Sequence, residues 1–431
     1  MTLAYLTTPL LGIVDTAVVG QFGETAMIGG LAVGAIVLDV IFTSFNFLRA
    51  GTTAMVAQAF GAGDEPEERA ALWRAVLVSI LAGILIALLS PVIISIGGWF
   101  MSAGAEVTAA MATYVGIRIL AAPISLTNYA LLGYVLGRGE GVTGFALQLL
   151  LNGTNIVLSI YLGLHLNWAI EGVAWATVVA EVSALICGFA YLAYRNRRTK
   201  RISVSHLIEP QSLLKMFSVN GDIMIRSFVL LSAFALFTRS GAGLGELPLA
   251  TNAILMNFFM VSGFLLDGFA TAAEQLSGRS IGARYQPAFH RTVVLTAMWG
   301  LAVAAIITLT VLIVGPHIVA IITSSEEIRA AAAGFLPWAA FTALSGVAAF
   351  QMDGVYIGAA WSRDMRNMML LSFVAFVVSL PVFVGWWGNH GNWAALHVFL
   401  LLRGATLYAL LGSNTRKAFQ DRPNAPSNQL P

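Results

Sequence analysis

The sequence predicts an all-α polytopic membrane protein, with twelve transmembrane helices in two six-helix lobes related by a pseudo-two-fold axis along the membrane normal. Three observations lead there. Of 431 residues, 58% are hydrophobic and 10% charged, whereas a soluble domain carries about 45–50% apolar and about 25% charged residues. So few charges cannot cover a water-facing surface of this size, and lipid asks for no such cover. Basic residues alternate between the loops joining apolar stretches. Short motifs in the first half return in the second.

The apolar stretches run about 3–20, 27–60, 71–98, 107–136, 142–163, 170–194, 213–239, 248–278, 288–314, 328–358, 366–387 and 393–412. A span needs about 20 residues, and the longest of these must tilt or extend past the bilayer core. Pro123, Gly133, Gly263, Gly268 and Pro381 lie inside them, which membrane helices tolerate because neighbours and water satisfy the freed backbone groups. Alternate loops carry Arg69 and Arg74, then Arg138, then the run Arg195 to Arg201 with Lys215, then Arg279, Arg284 and Arg291, then Arg363 and Arg366. The tail adds Arg416, Lys417 and Arg422, while the opposite loops offer only Arg239 and Arg329. That asymmetry places both termini in the cytoplasm and requires an even span count. The expected organisation is an N-lobe at 1–194, a basic cytoplasmic linker at 195–212, a C-lobe at 213–412 and a disordered cytoplasmic tail at 413–431. Met1–Gly20 lacks a basic leader and runs straight into a span, so no cleaved signal is expected.

The repeat is read from two matches. Phe47-Leu48, Gly51, Gln58 and Gly61 recur as Phe264-Leu265, Gly268, Gln275 and Gly278, each 217 positions later; Gly133-Tyr-Val-Leu-Gly137 recurs as Gly354-Val-Tyr-Ile-Gly358. Both relate span n to span n+6, so the two units insert with the same orientation. Two such lobes form a cleft suited to alternating access.

A charge at mid-membrane costs about 2.5–3.5 kcal/mol or more and asks for a reason. Candidates are Asp15, Asp39, Arg49, Arg118, Glu181, Asp222, Arg226, Asp267, Glu274, Asp353 and Arg403. Asp222 and Arg226 are four apart, the favourable order for an intrahelical pair. Asp267 and Glu274, seven apart, share a helix face and are read either as a cation or proton site or as partners of neighbouring arginines. Asp353 leads the repeated glycine segment and is open to the same two readings. Asp15 has no basic residue in its own helix. Burial favours the neutral form of a carboxyl group, so a solitary in-span carboxylate suits proton coupling.

Several chemistries are set aside. Gly278-Arg-Ser-Ile-Gly282 fits a nucleophile elbow, but it ends a membrane helix rather than following a strand. Lys200, Lys215 and Lys417 sit in no P-loop, which excludes ATP-driven transport in this chain. Cys187 is the only cysteine, so no intrachain disulfide or cysteine-rich metal site is possible. The six histidines show no metal spacing. The basic run reads as a linker near anionic lipid, not a nucleic-acid site.

The segments Leu11-Gly-Ile-Val-Asp-Thr-Ala-Val-Val-Gly20, Phe45-Asn-Phe-Leu-Arg-Ala-Gly-Thr-Thr53, Ala57-Gln-Ala-Phe-Gly-Ala-Gly-Asp64, Asp222-Ile-Met-Ile-Arg226, Leu266-Asp-Gly-Phe-Ala270 and Asp353-Gly-Val-Tyr-Ile-Gly358 spread over almost the whole chain. Together they resemble the MATE multidrug exporters, in their bacterial DinF-type branch. The resemblance implies a secondary exporter of small organic, including cationic, compounds in exchange for H+ or Na+. It implies no cofactor, no nucleic-acid partner, a monomer and a bacterial inner-membrane location. The first-helix carboxylate of such a protein is the coupling residue, here Asp15. Relatives add Asn and Asp four apart on span five; this chain reads Asn155-Ile-Val-Leu-Ser159, so the second carboxylate is Ser159. A Thr on span six completes the set, matched by Thr177. Losing one carboxylate weakens a sodium site, so proton coupling is expected. Asp39, Asn46, Arg118, Asp267, Glu274 and Asp353 are candidates to line the substrate cleft. Only fourteen residues precede Asp15, fewer than in relatives, so either Met1 is not the true start or the first helix is short. The competing expectations are a lipid-linked sugar flippase, for which Arg49, Arg118 and Arg226 would bind pyrophosphate, and a membrane enzyme using Ser280.

Overall fold

The structure, a computed structural model, describes residues 2–101, 104–197, 203, 207 and 209–420. All regular structure among them is helical. The elements are α1 (Thr2–Gly20), α2 (Thr25–Ser44), α3 (Phe47–Ala62), α4 (Glu65–Leu88), α5 (Ser90–Met101), α6 (Ala105–Leu120), α7 (Ala122–Gly137), α8 (Gly141–Leu158), a π-helical turn (Ser159–His165) and α9 (Ala169–Asn196). There follow α10 (Pro210–Gly243), α11 (Glu246–Gly282), α12 (Gln286–Ile322), α13 (Glu326–Gly358), α14 (Ser362–Trp387) and α15 (Asn389–Gln420).

These helices make up the expected spans. Among the described residues, ten helices are long and apolar enough to cross a membrane, the first of them combining α2 and α3 as Thr25–Ala62. The bent pair α6 and α7 makes an eleventh, and α1 is a shorter apolar helix before them. The pair bends by 53° because Pro123 opens α7, and proline supplies no N–H to continue a preceding helix. Gly83 of α4 lies against that bend, where a Cβ would come within 2.3 Å of Pro123 Cα.

By contacts the chain divides into two compact units. One holds the chain up to Val56 together with Glu65–Met224; the other holds Ala57–Asp64 and the chain from Ile225. The division therefore falls inside α10 and borrows the end of α3, whereas the basic run was expected to separate the lobes. Arg198 to Arg201 lie outside the described residues. The chain expected to be irregular from Ser413 continues α15 through Gln420, with 421–431 outside the described residues.

The repeat is present, but in one register throughout. Gly63 and Arg284 both adopt positive φ (284 − 63 = 221), and Gly139 pairs at the same offset with Ala360, and Asn167 with Gly388. Added Cβ atoms at Gly133 and Gly137 would meet the carbonyls of Arg49 and Thr53; at Gly354 and Gly358 they would meet those of Ala270 and Glu274, the same pairs shifted by 221. The sequence match of span two at 217 is thus four residues out. One helical turn is 3.6 residues, so a near-turn slip preserves the face and hides in a glycine-rich pattern.

Each unit is closed by its own polar lock. In the first, Tyr134 donates to Glu68 at 2.8 Å, Arg138 pairs with both Glu68 and Glu140, and Arg195 reaches Glu140 at 2.6 Å. Arg74, 2% exposed, donates from Nε to the Leu207 carbonyl at 3.0 Å. In the second, Asn252 and Asn389 exchange side-chain hydrogen bonds at 2.7 and 2.9 Å, and Trp393 donates to Asn252 at 2.9 Å. The Trp393 ring meets Phe237 edge-on with centroids 5.0 Å apart.

Candidate ion-coupling site in the first unit

Asp15 lies on α1, which packs against α8, α9 and the π-turn between them. Two glycines make that approach possible. A Cβ at Gly163 would come within 2.4 Å of the Val18 side chain, and one at Gly172 would strike the backbone of Leu162 and Gly163 at 2.7 Å. The π-turn begins at Ser159. Turns of this kind widen a helix by one residue and re-aim its side chains.

Ser159 is fully buried and donates its hydroxyl to Asp15 Oδ1 at 2.8 Å. One turn earlier, Asn155 donates from Nδ2 to Thr177 Oγ1 at 2.7 Å, and the Thr177 hydroxyl donates to the Val173 carbonyl at 3.1 Å. Asp15, Asn155, Ser159 and Thr177 are all buried. Among the described residues Asn155 Oδ1 has no hydrogen-bond partner, so the site keeps an amide acceptor unused. The four residues read from the sequence are therefore drawn from α1, the α8–π-turn junction and α9 into bonded pairs.

The remaining candidates fall elsewhere. Asp39 is exposed on α2, and Asn46, at the break between α2 and α3, accepts from Arg49 Nε at 3.2 Å. Arg118 on α6 is in an ion pair with Glu181 of α9 at 3.0 Å. Asp267, Glu274 and Asp353 belong to the second unit, far in sequence from Asp15. There Asp353 is buried and held by Arg226 and by Arg403, the latter at 2.7 Å. Arg226 thus bonds a carboxylate on another helix, beyond the intrahelical Asp222 pairing that spacing suggested. Ser280 donates back to the Leu276 carbonyl at 2.7 Å inside α11, which ends the nucleophile reading.

Sequence reasoning missed the π-turn and the pairing of Glu181. Glu181 lies four residues after Thr177, a spacing that puts both on one helix face and could have flagged it. Ser125 donates to Glu181 Oε2 at 2.5 Å, and Asn128 donates to its backbone carbonyl at 2.9 Å.

Comparison with known proteins assigns the family. The MatE family profile matches residues 1–161 and 223–384. The DNA damage-inducible protein F of Escherichia coli K12 is 36% identical over 420 residues, covering 95% of this chain and 89% of that one. A probable multidrug resistance protein NorM of Chromobacterium violaceum is 23% identical over 97% of this chain and 92% of its own length. A crystal structure of MATE in a bent conformation superposes with a TM-score of 0.88 at 17% identity, over 98% of this chain and 94% of that one. The fold is that of the MATE transporters, and these proteins are carriers rather than enzymes. The chain belongs to the MatE family, as a multi-pass membrane transporter similar to the bacterial DNA damage-inducible protein F.

Proposed function

We propose that the protein is a proton-coupled exporter of small organic compounds, with Asp15 as the coupling carboxylate. The observation that carries this is the hydrogen bond from Ser159 to Asp15: the site offers one carboxylate among neutral partners. Sodium wants a negative site with several uncommitted oxygens, as hard cations do. Here the hydroxyls of Ser159 and Thr177 are already engaged, which leaves Asn155 Oδ1 and Asp15 to serve an ion. A proton needs only the carboxylate. Asp15 takes it from the outside, the surround of Asn155, Ser159 and Thr177 rearranges, substrate leaves outward, and release of the proton to the cytoplasm resets the carrier by alternating access. In this reading the protein acts as a monomer in the bacterial inner membrane, both termini cytoplasmic, and takes organic, including cationic, substrates. Asp39 and Asn46 in the first unit and Asp267 and Glu274 in the second remain proposed substrate contacts, whereas Asp353, held by Arg226 and Arg403, and Arg118, held by Glu181, are already engaged.

Asp15→Asn is expected to abolish pH-driven export in proteoliposomes while leaving insertion and folding intact. A Na+ gradient at fixed pH is expected to drive no export. Export by the Asp15→Asn variant, or Na+-driven export by the natural protein, overturns the assignment. The flippase alternative called on three arginines, and two of them, Arg118 and Arg226, are occupied by carboxylates.

A further inference from the structure

We propose that Arg118 is a positioning residue for Asp15, supplying from the Glu181 ion pair the positive charge against which a proton on Asp15 is weighed. This rests on the coupling role of Asp15 proposed above.

Glu181 and Thr177 are both buried on α9, four residues apart, so their Cβ atoms are about 5–6 Å apart on one face. Thr177 holds Asn155, and Asn155 precedes Ser159, the donor to Asp15, by one turn. The Arg118–Glu181 pair is therefore one helical turn from the surround of Asp15. On its other side the Arg118 guanidinium lies 5.8 Å from the Phe42 ring centroid, and Phe42 is one turn beyond Asp39 on α2. The helix that carries Arg118, α6, packs against α2 and α9, and both of these pack against α1, which carries Asp15. The Nε–H of Arg118 is buried and has no acceptor among the described residues.

The groups around Asp15 can be named element by element. α2 brings Asp39, α6 brings Arg118 and Tyr114, and α9 brings Glu181. α8 and the start of the π-turn bring neutral Asn155 and Ser159, with His165 exposed at the far end of the turn. Of these carboxyl groups, Glu181 is the one bonded to the Arg118 guanidinium. Glu181 is held fast by Ser125 and Asn128, so it keeps Arg118 in place whether Asp15 is charged or neutral. Arg118 acts through Asp15.

The two partners of this ion pair then move the proton affinity of Asp15 in opposite directions. Removing the guanidinium disfavours the ionised carboxylate, and Asp15 holds its proton to higher pH. Removing the Glu181 charge leaves Arg118 uncompensated, and Asp15 releases its proton at lower pH. At an effective dielectric of about 20 a unit charge is worth about one pH unit at about 12 Å, and more at shorter range.

The test is an infrared titration of protonated carboxyl groups in the protein in bilayers, with Asp15→Asn assigning the band, beside the pH profile of export. Arg118→Gln should move the Asp15 midpoint about one pH unit alkaline, Glu181→Gln about as far acidic, and Arg118→Lys should stay near the natural value. If Arg118→Gln does not fold, Arg118→Lys and Glu181→Gln decide: Lys near the natural midpoint with Gln acidic supports the proposal. A merely structural pair would lower stability in both variants and leave the midpoint in place, and midpoints that stay put or move the same way overturn the inference. If the Asp15 band moves as stated while export keeps its pH profile, the coupling role of Asp15 fails and the electrostatic role of Arg118 stands.

Discussion

At the scale of the residue, one hydroxyl sets the chemistry of the site. Ser159, where the family resemblance leads one to expect a second carboxylate, bonds Asp15 directly at 2.8 Å. Ser159→Asp would place two carboxyl groups in hydrogen-bond contact, where both cannot ionise at once. The pair should therefore hold a proton to higher pH, moving the export profile alkaline, and it should gain a response to Na+. Export from proteoliposomes across pH, with and without Na+, measures both, and an unchanged profile would show that the hydroxyl is not part of the coupling site. Asp15 stands out in the sequence as a solitary in-span carboxylate, and Asn155, Ser159 and Thr177 come from the family resemblance; the structure brings the four into bonded pairs. Their bonding was not legible, since Asp15 and Ser159 are 144 positions apart. Arg118 and Glu181 each stood out as charges in apolar surroundings, but only tertiary packing brings them together.

At the scale of the element, backbone contacts decide what fits. Gly172 of α9 leaves no room for a methyl group against the π-turn. Gly172→Ala should push that turn off α9 and cost about 1–3 kcal/mol, as overpacking does, visible as a lower thermal midpoint and as weaker pH-driven export at the same protein level. The turn after α13 holds the opposite opportunity. Ala360 adopts φ 57° where its repeat partner Gly139 has a glycine's freedom at 79°. An L-residue there carries about 1–2 kcal/mol of strain, so Ala360→Gly should raise the thermal midpoint and Gly139→Ala should lower it. If both substitutions lower it, side-chain packing at Ala360 outweighs the backbone term. The all-helical spanning class and the repeat were legible because apolar length and glycine pattern are written locally, while ten or eleven helices among the described residues, not twelve, are long and apolar enough to cross. The break of α6 and α7 was signalled by Pro123, but the π-turn was not, because Ser159–His165 reads as ordinary apolar span.

At the scale of the molecule, the described residues contain two units built on one plan, each with its own buried aromatic centre and polar lock. The unit boundary was the least legible feature. A basic, polar run is the obvious place to divide a membrane chain, yet contacts carry Pro210–Met224 with the first unit, because a helix is assigned by what it packs against and not by where its loop begins. The short segment Ala57–Asp64 shows the same thing more sharply. It is continuous with α3, yet it packs with the second unit: Gly61 meets the Arg279 carbonyl, Gly282 meets that of Gln58, and Gln58 donates to Gly358 at 2.9 Å. A fragment from residue 203 onward should accordingly be left with bare carbonyls and empty glycine grooves, and be cleared by proteolysis when made alone. Made together with the fragment 1–202, it should regain protection and export. Gly61→Leu in the first fragment should abolish that rescue, read as loss of the second fragment on a blot. A cut after residue 202 therefore parts the second unit from a stretch of its own packing, although that stretch ends at Asp64, far upstream.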